Sequence, residues 1–398
     1  MRKGESKLAG YRDLPTLAGM GHILISFFGR LPTSMIVIGV LTFVAAERDV
    51  TDASIASAAL AIATGVGSPL IGRWTDRAGQ RPPLLILSPL NAAALVALVA
   101  ATTAGAHIAA ICAIAALIGL TTSPVGALTR VRWYPLAKLP KQLASALSWE
   151  SMADEMAFVL GPAAVGILAS AFGASAPLLI TAALVVTCVI PFALSVHAPG
   201  PNRTSGTGSA PGIRTILAAT AVSMAAMAGL GLYFGSMQTS TTAFAQALGR
   251  PGDAGLIYAA MGLGSAITAL GAVALPAAFT NTARIIVGGL GIAAGAAACT
   301  FATSGLSLAA LLFVSGLAIG PASVAIFTLA GERAPEGGDT VAMTAIGSFN
   351  VMGVAASSAI AGRLLPLNID YGFLAGATAG LIMAAGTTIA ALALRRRR

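Results

Sequence analysis

The sequence predicts an all-α integral membrane protein whose twelve transmembrane helices form two six-helix, pseudo-symmetric bundles. Three observations lead there. Hydrophobic residues make up 57% of the 398-residue chain and charged ones only 9%, where soluble domains average about 45–50% apolar and about 25% charged. Apolar runs of about 20 residues, the length that crosses about 30 Å of hydrocarbon, recur from one end of the chain to the other. All of the 23 basic residues except Arg30, Arg48, Arg250 and Arg363 fall at the termini or at alternate connections, the asymmetry produced by the positive-inside rule. The net charge of +9 therefore reports orientation, with both termini cytoplasmic, and gives no reason to expect nucleic acid as a partner.

Arg2, Lys3, Lys7 and Arg12 precede the first apolar run, 20–45. That run is too long for the core of a secretory signal and eleven more follow, so it reads as an uncleaved first span. The second and third runs, 53–72 and 83–104, bracket a densely charged stretch in which Arg73, Asp76, Arg77 and Arg81 stand within nine positions. A tight loop at the cytoplasmic mouth of a bundle accounts for such a cluster. The fourth run, 107–128, carries Thr121, Thr122, Ser123 and Pro124 and ends beside Arg130. The fifth, 145–171, holds Glu150, Asp154 and Glu155 early and Gly161, Pro162 and Gly166 later.

After a sixth run, 175–197, the Pro, Gly, Ser and Thr residues of 198–212 have the composition of a flexible linker. Six further runs follow at 213–236, 254–279, 284–302, 306–330, 340–364 and 371–394. The expected organisation is an N-terminal bundle (1–197), a cytoplasmic linker (198–212) and a C-terminal bundle (213–398). Even helix counts make the halves parallel, related by an axis along the membrane normal, with a site expected where they meet. Connections such as 102–107, 172–177 and 303–306 are too short to hold a soluble domain. Cys112, Cys188 and Cys299 lie inside apolar runs without paired spacing and read as structural thiols. Small residues four apart, at Gly231/Gly235, Gly291/Gly295 and Gly372/Gly376/Gly380, allow close helix crossing. Packing within a monomer is the expectation, with a dimer face as the alternative.

The spacing Gly72-x-x-x-Asp76-Arg77-x-Gly79-x-Arg81, between the second and third spans of a six-plus-six layout, resembles the signature loop of the major facilitator superfamily. Gly72 would permit close helix contact and Gly79 a tight turn, while Arg77 and Arg81 would anchor the loop at an anionic leaflet. The resemblance implies that this loop latches the two halves at the cytoplasmic side, with Asp76 meeting Arg130 and the start of the eleventh span near Asp339 and Thr340. A second stretch, Gly161-Pro162-Ala163-Ala164-Val165-Gly166, resembles the Gly-Pro motif of the exporter branch, proton-coupled drug antiporters in particular. There Pro162 would bend the fifth helix, and Gly161 and Gly166 would let it cross its neighbours closely. Val165 departs from that pattern, since a second glycine usually flanks the last. The superfamily's arginine midway along the fourth span is also missing, so a proton-handling group must lie elsewhere.

One place offers it. At about 1.5 Å rise per residue, Arg30 and Asp154 reach similar depths of roughly 12–15 Å in their spans. An isolated charge at the bilayer centre costs on the order of 2.5–3.5 kcal/mol, so Arg30 and the carboxylates should face one another or a wet cavity. Glu150 and Asp154, four apart, share a helix face; Glu155 points elsewhere. Asp154 or Glu155 is the expected proton-titrating group with Arg30 as counter-charge, against the alternative of an ion pair that never titrates. Candidate cavity residues are Thr122, Tyr233, Gln238, Thr239, Ser315, Ser323 and Asn350. His22, His107 and His197 each sit alone near span ends, where an interfacial place is expected.

The sequence contains no Gly-x4-Gly-Lys-Ser/Thr phosphate loop, Gly-x-Ser-x-Gly elbow or His-Glu-x-x-His pair, so ATP drive, hydrolase and metalloprotease chemistry are not indicated. The resulting expectation is a non-enzymatic secondary transporter of the cytoplasmic membrane. It would export a small organic compound by proton antiport and alternating access, with the proton gradient in place of a cofactor or metal. Its partners would be substrate, protons and the lipid bilayer. Uptake or exchange of a sugar, nucleoside or amino acid by the same fold, and a non-transporting membrane sensor, stand as alternatives.

Overall fold

The computed structural model describes residues 9–200, 211–250 and 253–395; all regular structure among them is helical. Most of the linker (201–210) and the basic residues Arg2, Lys3, Lys7, Arg203 and Arg396 to Arg398 lie outside the described residues. A short helix, α1 (Ala9–Ala18), precedes twelve segments long and apolar enough to cross a membrane, six before the linker and six after it.

The first span, Met20–Glu47, consists of α2 (Met20–Phe28) and α3 (Leu31–Glu47). Pro32 stands in the first turn of α3, where its missing N–H is not needed, and Gly29 and Arg30 form the joint. α4 (Val50–Ala78) starts at Asp49, whose carboxylate accepts the Asp52 N–H at 2.9 Å. After α5 (Arg81–Thr103), the fourth span is likewise divided, into α6 (Ile108–Thr121) and α7 (Val125–Leu136). Pro124 cannot donate to the turn before it, and Asn91 of α5 occupies the gap. Its Nδ2 donates to the Ile118 carbonyl at 2.9 Å and the Thr121 hydroxyl at 3.0 Å. α8 (Pro140–Phe172) is continuous through Pro162. The sixth span runs as α9 (Ala176–Leu184), a π-helical turn (Val185–Val189) and α10 (Ile190–Leu194), the widened turn lying just ahead of Pro191, whose ring disfavours the tighter ladder.

The second half is more regular: α11 (Ile213–Ala247), α12 (Ala254–Gly271), α13 (Asn281–Ala298), α14 (Gly305–Arg333), α15 (Asp339–Leu364) and α16 (Ile369–Arg395). α11 extends eleven residues beyond the expected 213–236, which brings Gln238 and Thr239 inside it. The charged stretch after the second span is also not a loop. Gly72 to Ala78 are the last two turns of α4, and only Gly79 and Gln80 separate it from α5. Charges at the end of a long helix interrupt its apolar run without interrupting its hydrogen bonds.

Each half has its own apolar core, and the halves meet chiefly along α4 against α15 and α8 against α12. The small-residue repeats are consumed by packing within the chain. A methyl group on Gly231 would lie 3.0 Å from the Asn350 carbonyl carbon, one on Gly291 2.6 Å from Ala318 Cβ, and one on Gly380 2.6 Å from the Gly289 oxygen.

Candidate functional site

The joint between α2 and α3 delivers Arg30 to the middle of the first half, where it is 3% exposed. There its guanidinium pairs with Glu150 and, through Nε at 2.9 Å, with Asp154 Oδ1. Arg130 of α7 reaches the other oxygen of Asp154 at 2.7 Å and the Ser151 hydroxyl at 3.4 Å. The second oxygen of Glu150 accepts the indole N–H of Trp133 at 2.7 Å. Gly126 makes room for the cluster, since a methyl group there would lie 2.6 Å from Asp154 Oδ1. Two arginines and two carboxylates thus close into a quartet of zero net charge, the condition under which ionised groups remain at membrane depth.

Glu155 stands outside that quartet. One residue further along α8, it turns toward Ser265 and Tyr258 of α12 in the other half. It is 5% exposed, and no basic side chain pairs with it among the described residues.

Arg30, Arg130 and Asp154 of the quartet, together with Glu155, border a cavity of about 110 Å³ between the halves. That is smaller than the roughly 300–1,000 Å³ of drug-sized sites, so a small occupant fits this state. The first half contributes Arg30, Arg130, Asp154 and Glu155 together with Thr33, Ser34, Thr64, Ser68 and Thr122. The second contributes Met227, Leu230, Phe234, Ser323, Phe327, Met343 and Asn350. Asn350 donates to Met227 Sδ at 3.3 Å, while its Oδ1 is buried without a protein partner. The Arg130 guanidinium lies over the Phe327 ring, 3.5 Å from its centroid, a cation–π contact that joins the halves.

Of the residues singled out from sequence, Thr122, Ser323 and Asn350 line this cavity, whereas Tyr233, Gln238, Thr239 and Ser315 do not. Tyr233 is fully buried within the second bundle and meets the Ser315 hydroxyl at 2.5 Å; a phenol in an apolar interior takes the nearest hydroxyl. Gln238 lies one turn beyond Phe234, the last residue of α11 that reaches the cavity. His22 and His197 are not solitary. Their rings meet edge to face at 5.2 Å, and His22 contacts the Ser195 hydroxyl at 3.3 Å.

The signature stretch lies where the halves touch, at the end of α4 and the start of α15. Asp76 accepts the Val341 N–H at 3.4 Å in the first turn of α15, where a negative charge complements the helix dipole. A methyl group on Gly72 would lie 3.1 Å from the Thr340 oxygen. Gly79 has φ +80° and abuts Gly200, and the Gln80 N–H bonds the Pro199 oxygen at 3.1 Å. Arg73 bonds the Pro211 oxygen at 2.8 Å, and Arg81 the Ser195 oxygen at 3.3 Å; Arg77 is exposed. Arg130 does not meet Asp76 as expected, because Asp154 holds it deeper. In the Gly-Pro stretch, Gly161 packs against Ser34, with 2.8 Å from a built methyl to Ser34 Cβ, but nothing lies within 4 Å of Gly166. Only one of the two glycines serves a close crossing.

Sequence reasoning missed Trp133, Phe327, Asn91 and the α1 helix. In an apolar run nothing marks the aromatic that will meet a charge, though Asn91 was a visible polar interruption. α1 packs Leu14 and Ala18 against Trp133 and Ala146. Its Tyr11 donates across the halves to the Leu270 oxygen at 2.6 Å; burial raises the phenol's proton affinity, which keeps it a donor.

The fold has solved counterparts. A bacterial homologue of the iron transporter ferroportin in an outward-facing state superposes with a TM-score of 0.69 at 18% identity, over 92% of this chain and 97% of that one. The same homologue with soaked iron gives 0.68 at 17% identity, over 92% and 97%. The human organic anion transporter MFSD10 (TETRAN) gives 0.64 at 17% identity, over 95% and 99%. No curated protein sequence matches the chain. The family model of the Major Facilitator Superfamily matches residues 23–362. With twelve spans, two packed halves and a cavity between them, the chain belongs to the major facilitator superfamily and is a membrane transporter.

Proposed function

We propose that the protein exports a small amphipathic organic compound by proton antiport, with Glu155 as the group that gains and loses the proton. The observation that carries this reading is Glu155 itself, a buried carboxylate on the cavity wall with no basic partner among the described residues, beside a quartet whose charges are already matched. Water or a substrate reaching the cavity stabilises its anion, and a closed, dry cavity favours its neutral acid. Access and protonation are thereby linked. Asp154 holds two arginines and is the poorer candidate, since protonating it would leave Arg30 and Arg130 with one carboxylate, Glu150, between them.

Phe158, Phe234, Phe327 and two methionines give the cavity apolar walls, and Asn350 Oδ1 offers a hydrogen-bond acceptor. That lining suits a compact amphipathic solute. The basic face of the bundle is cytoplasmic by the positive-inside rule, and the multi-pass chain resides in the cytoplasmic membrane as a monomer. The contacts made by Asp76, Gly72 and Tyr11 then close the cytoplasmic side in this conformation. The Gly161-Pro162 stretch supports the direction of export.

The test is a substrate screen in inverted vesicles with an imposed pH gradient. Accumulation is expected only when the vesicle interior is acidic. With the compound so identified, Glu155→Gln is expected to lose gradient-driven accumulation at least tenfold while still exchanging labelled for unlabelled compound. Full gradient-driven accumulation by Glu155→Gln would overturn the assignment, and accumulation driven only by the opposite gradient would overturn export.

A further inference from the structure

The quartet is held by a residue that sequence patterning does not mark. Glu150 is wholly buried and has two oxygens to satisfy; Arg30 takes one and the Trp133 indole N–H, at 2.7 Å, takes the other. Trp133 is itself 1% exposed, fixed among α1, α2 and α8 by Leu14, Ala18, Ile23 and Ala146. An indole nitrogen is a donor and never an acceptor. It therefore donates to Glu150 and favours the carboxylate over the neutral acid.

We propose that Trp133 is a positioning residue for proton coupling: its N–H keeps Glu150 ionised against Arg30, so that the quartet stays neutral and the exchangeable proton goes to Glu155. This rests on the reading of Glu155 given above. Among the described residues, the other charged and titratable groups around Glu150 are already engaged. From the joint of the first span comes Arg30, already paired. From α2, His22 is engaged with Ser195 and stacked on Phe192. From α7, Arg130 is committed to Asp154. From α1, Tyr11 donates to the Leu270 oxygen and Asp13 accepts from Gln142 at 3.0 Å. On α8 itself, Asp154 bridges both arginines and Ser151 faces Arg130.

Without the indole N–H, one buried oxygen of Glu150 loses its donor and the carboxyl gains affinity for a proton. A protonated Glu150 leaves the quartet with one uncompensated positive charge. That charge stabilises the Glu155 anion, so Glu155 takes up its proton only at lower pH. The sign is fixed: the variant's Glu155 titrates toward acid, by about one pH unit for a nearby charge.

Infrared titration of the purified protein tests this without a substrate. Trp133→Phe, at neutral pH, is expected to show a protonated-carboxyl band that disappears in Trp133→Phe/Glu150→Gln. The Glu155 band, assigned by its loss in Glu155→Gln, is expected to move about one pH unit toward acid. Glu150→Gln alone should move it equally, and the double variant no further. Replacing Trp133 by benzothienylalanine, which keeps the ring system and removes only the N–H, gives the same reading if phenylalanine disturbs folding. Absence of the Glu150 band, or a Glu155 titration unchanged from wild type, overturns the proposal. If the bands behave as expected but the wild type shows no gradient-driven transport, Trp133 keeps its role and the antiport reading fails instead.

Discussion

Asp154 and Glu155 are adjacent in sequence, yet their replacements should have opposite consequences for stability. Asp154→Asn leaves Arg30 and Arg130 sharing one carboxylate, and an unmatched buried charge costs about 3–5 kcal/mol. A clear fall in the thermal unfolding midpoint is expected in detergent, by fluorescence-detected size exclusion. Glu155→Gln removes an unpaired carboxyl and should hold or raise that midpoint; equal losses in both variants would refute the division of roles. These carboxylates were legible in the sequence because charge within apolar runs is costly enough to need a cause. Their partners were legible only through matched depth, which brought Arg30 to Asp154 but gave no sign that Arg130 would join them. Trp133 and Phe327 were hidden because membrane interiors and lipid are equally apolar, so an aromatic's facing direction leaves no compositional trace.

At the level of helices, the structure separates glycines that a motif alone treats alike. Gly161→Ala would press a methyl group against Ser34 and is expected to reduce folded yield, whereas Gly166→Ala meets open space and should be neutral. Measuring monodisperse yield and thermal midpoint for both distinguishes them. Asp76→Asn removes a charge from the first turn of α15, an interaction of about 0.3–1 kcal/mol. The closed cytoplasmic side should therefore lose up to about fivefold in population, seen as faster labelling of a cysteine placed at Thr344 in a cysteine-free background. Unchanged labelling would show that Asp76 does not hold the halves together. Helix number and order could be read from hydropathy, because span length is set by the bilayer. Helix ends could not, since α4 and α11 continue through charged and polar residues whose backbone bonds are unaffected.

For the whole molecule, the glycine repeats are spent on contacts inside the chain, so a single copy is the expected species in detergent by light scattering; a stable dimer would mean that another face mediates association. The two bundles also differ in make-up. In the first, two spans are interrupted near the same depth, at Gly29–Arg30 and at Thr122–Pro124, and a third carries a widened turn. The second bundle's spans cross the membrane without such breaks. Helical rods resist bending, while a joint lacking two or three ladder bonds yields readily. The repeat symmetry is thus one of outline and not of stiffness: the first half carries joints at which its spans can bend, and the second offers a straighter face to it. A compound that wedged into the paired joints would stall the cycle without ever occupying the substrate's place.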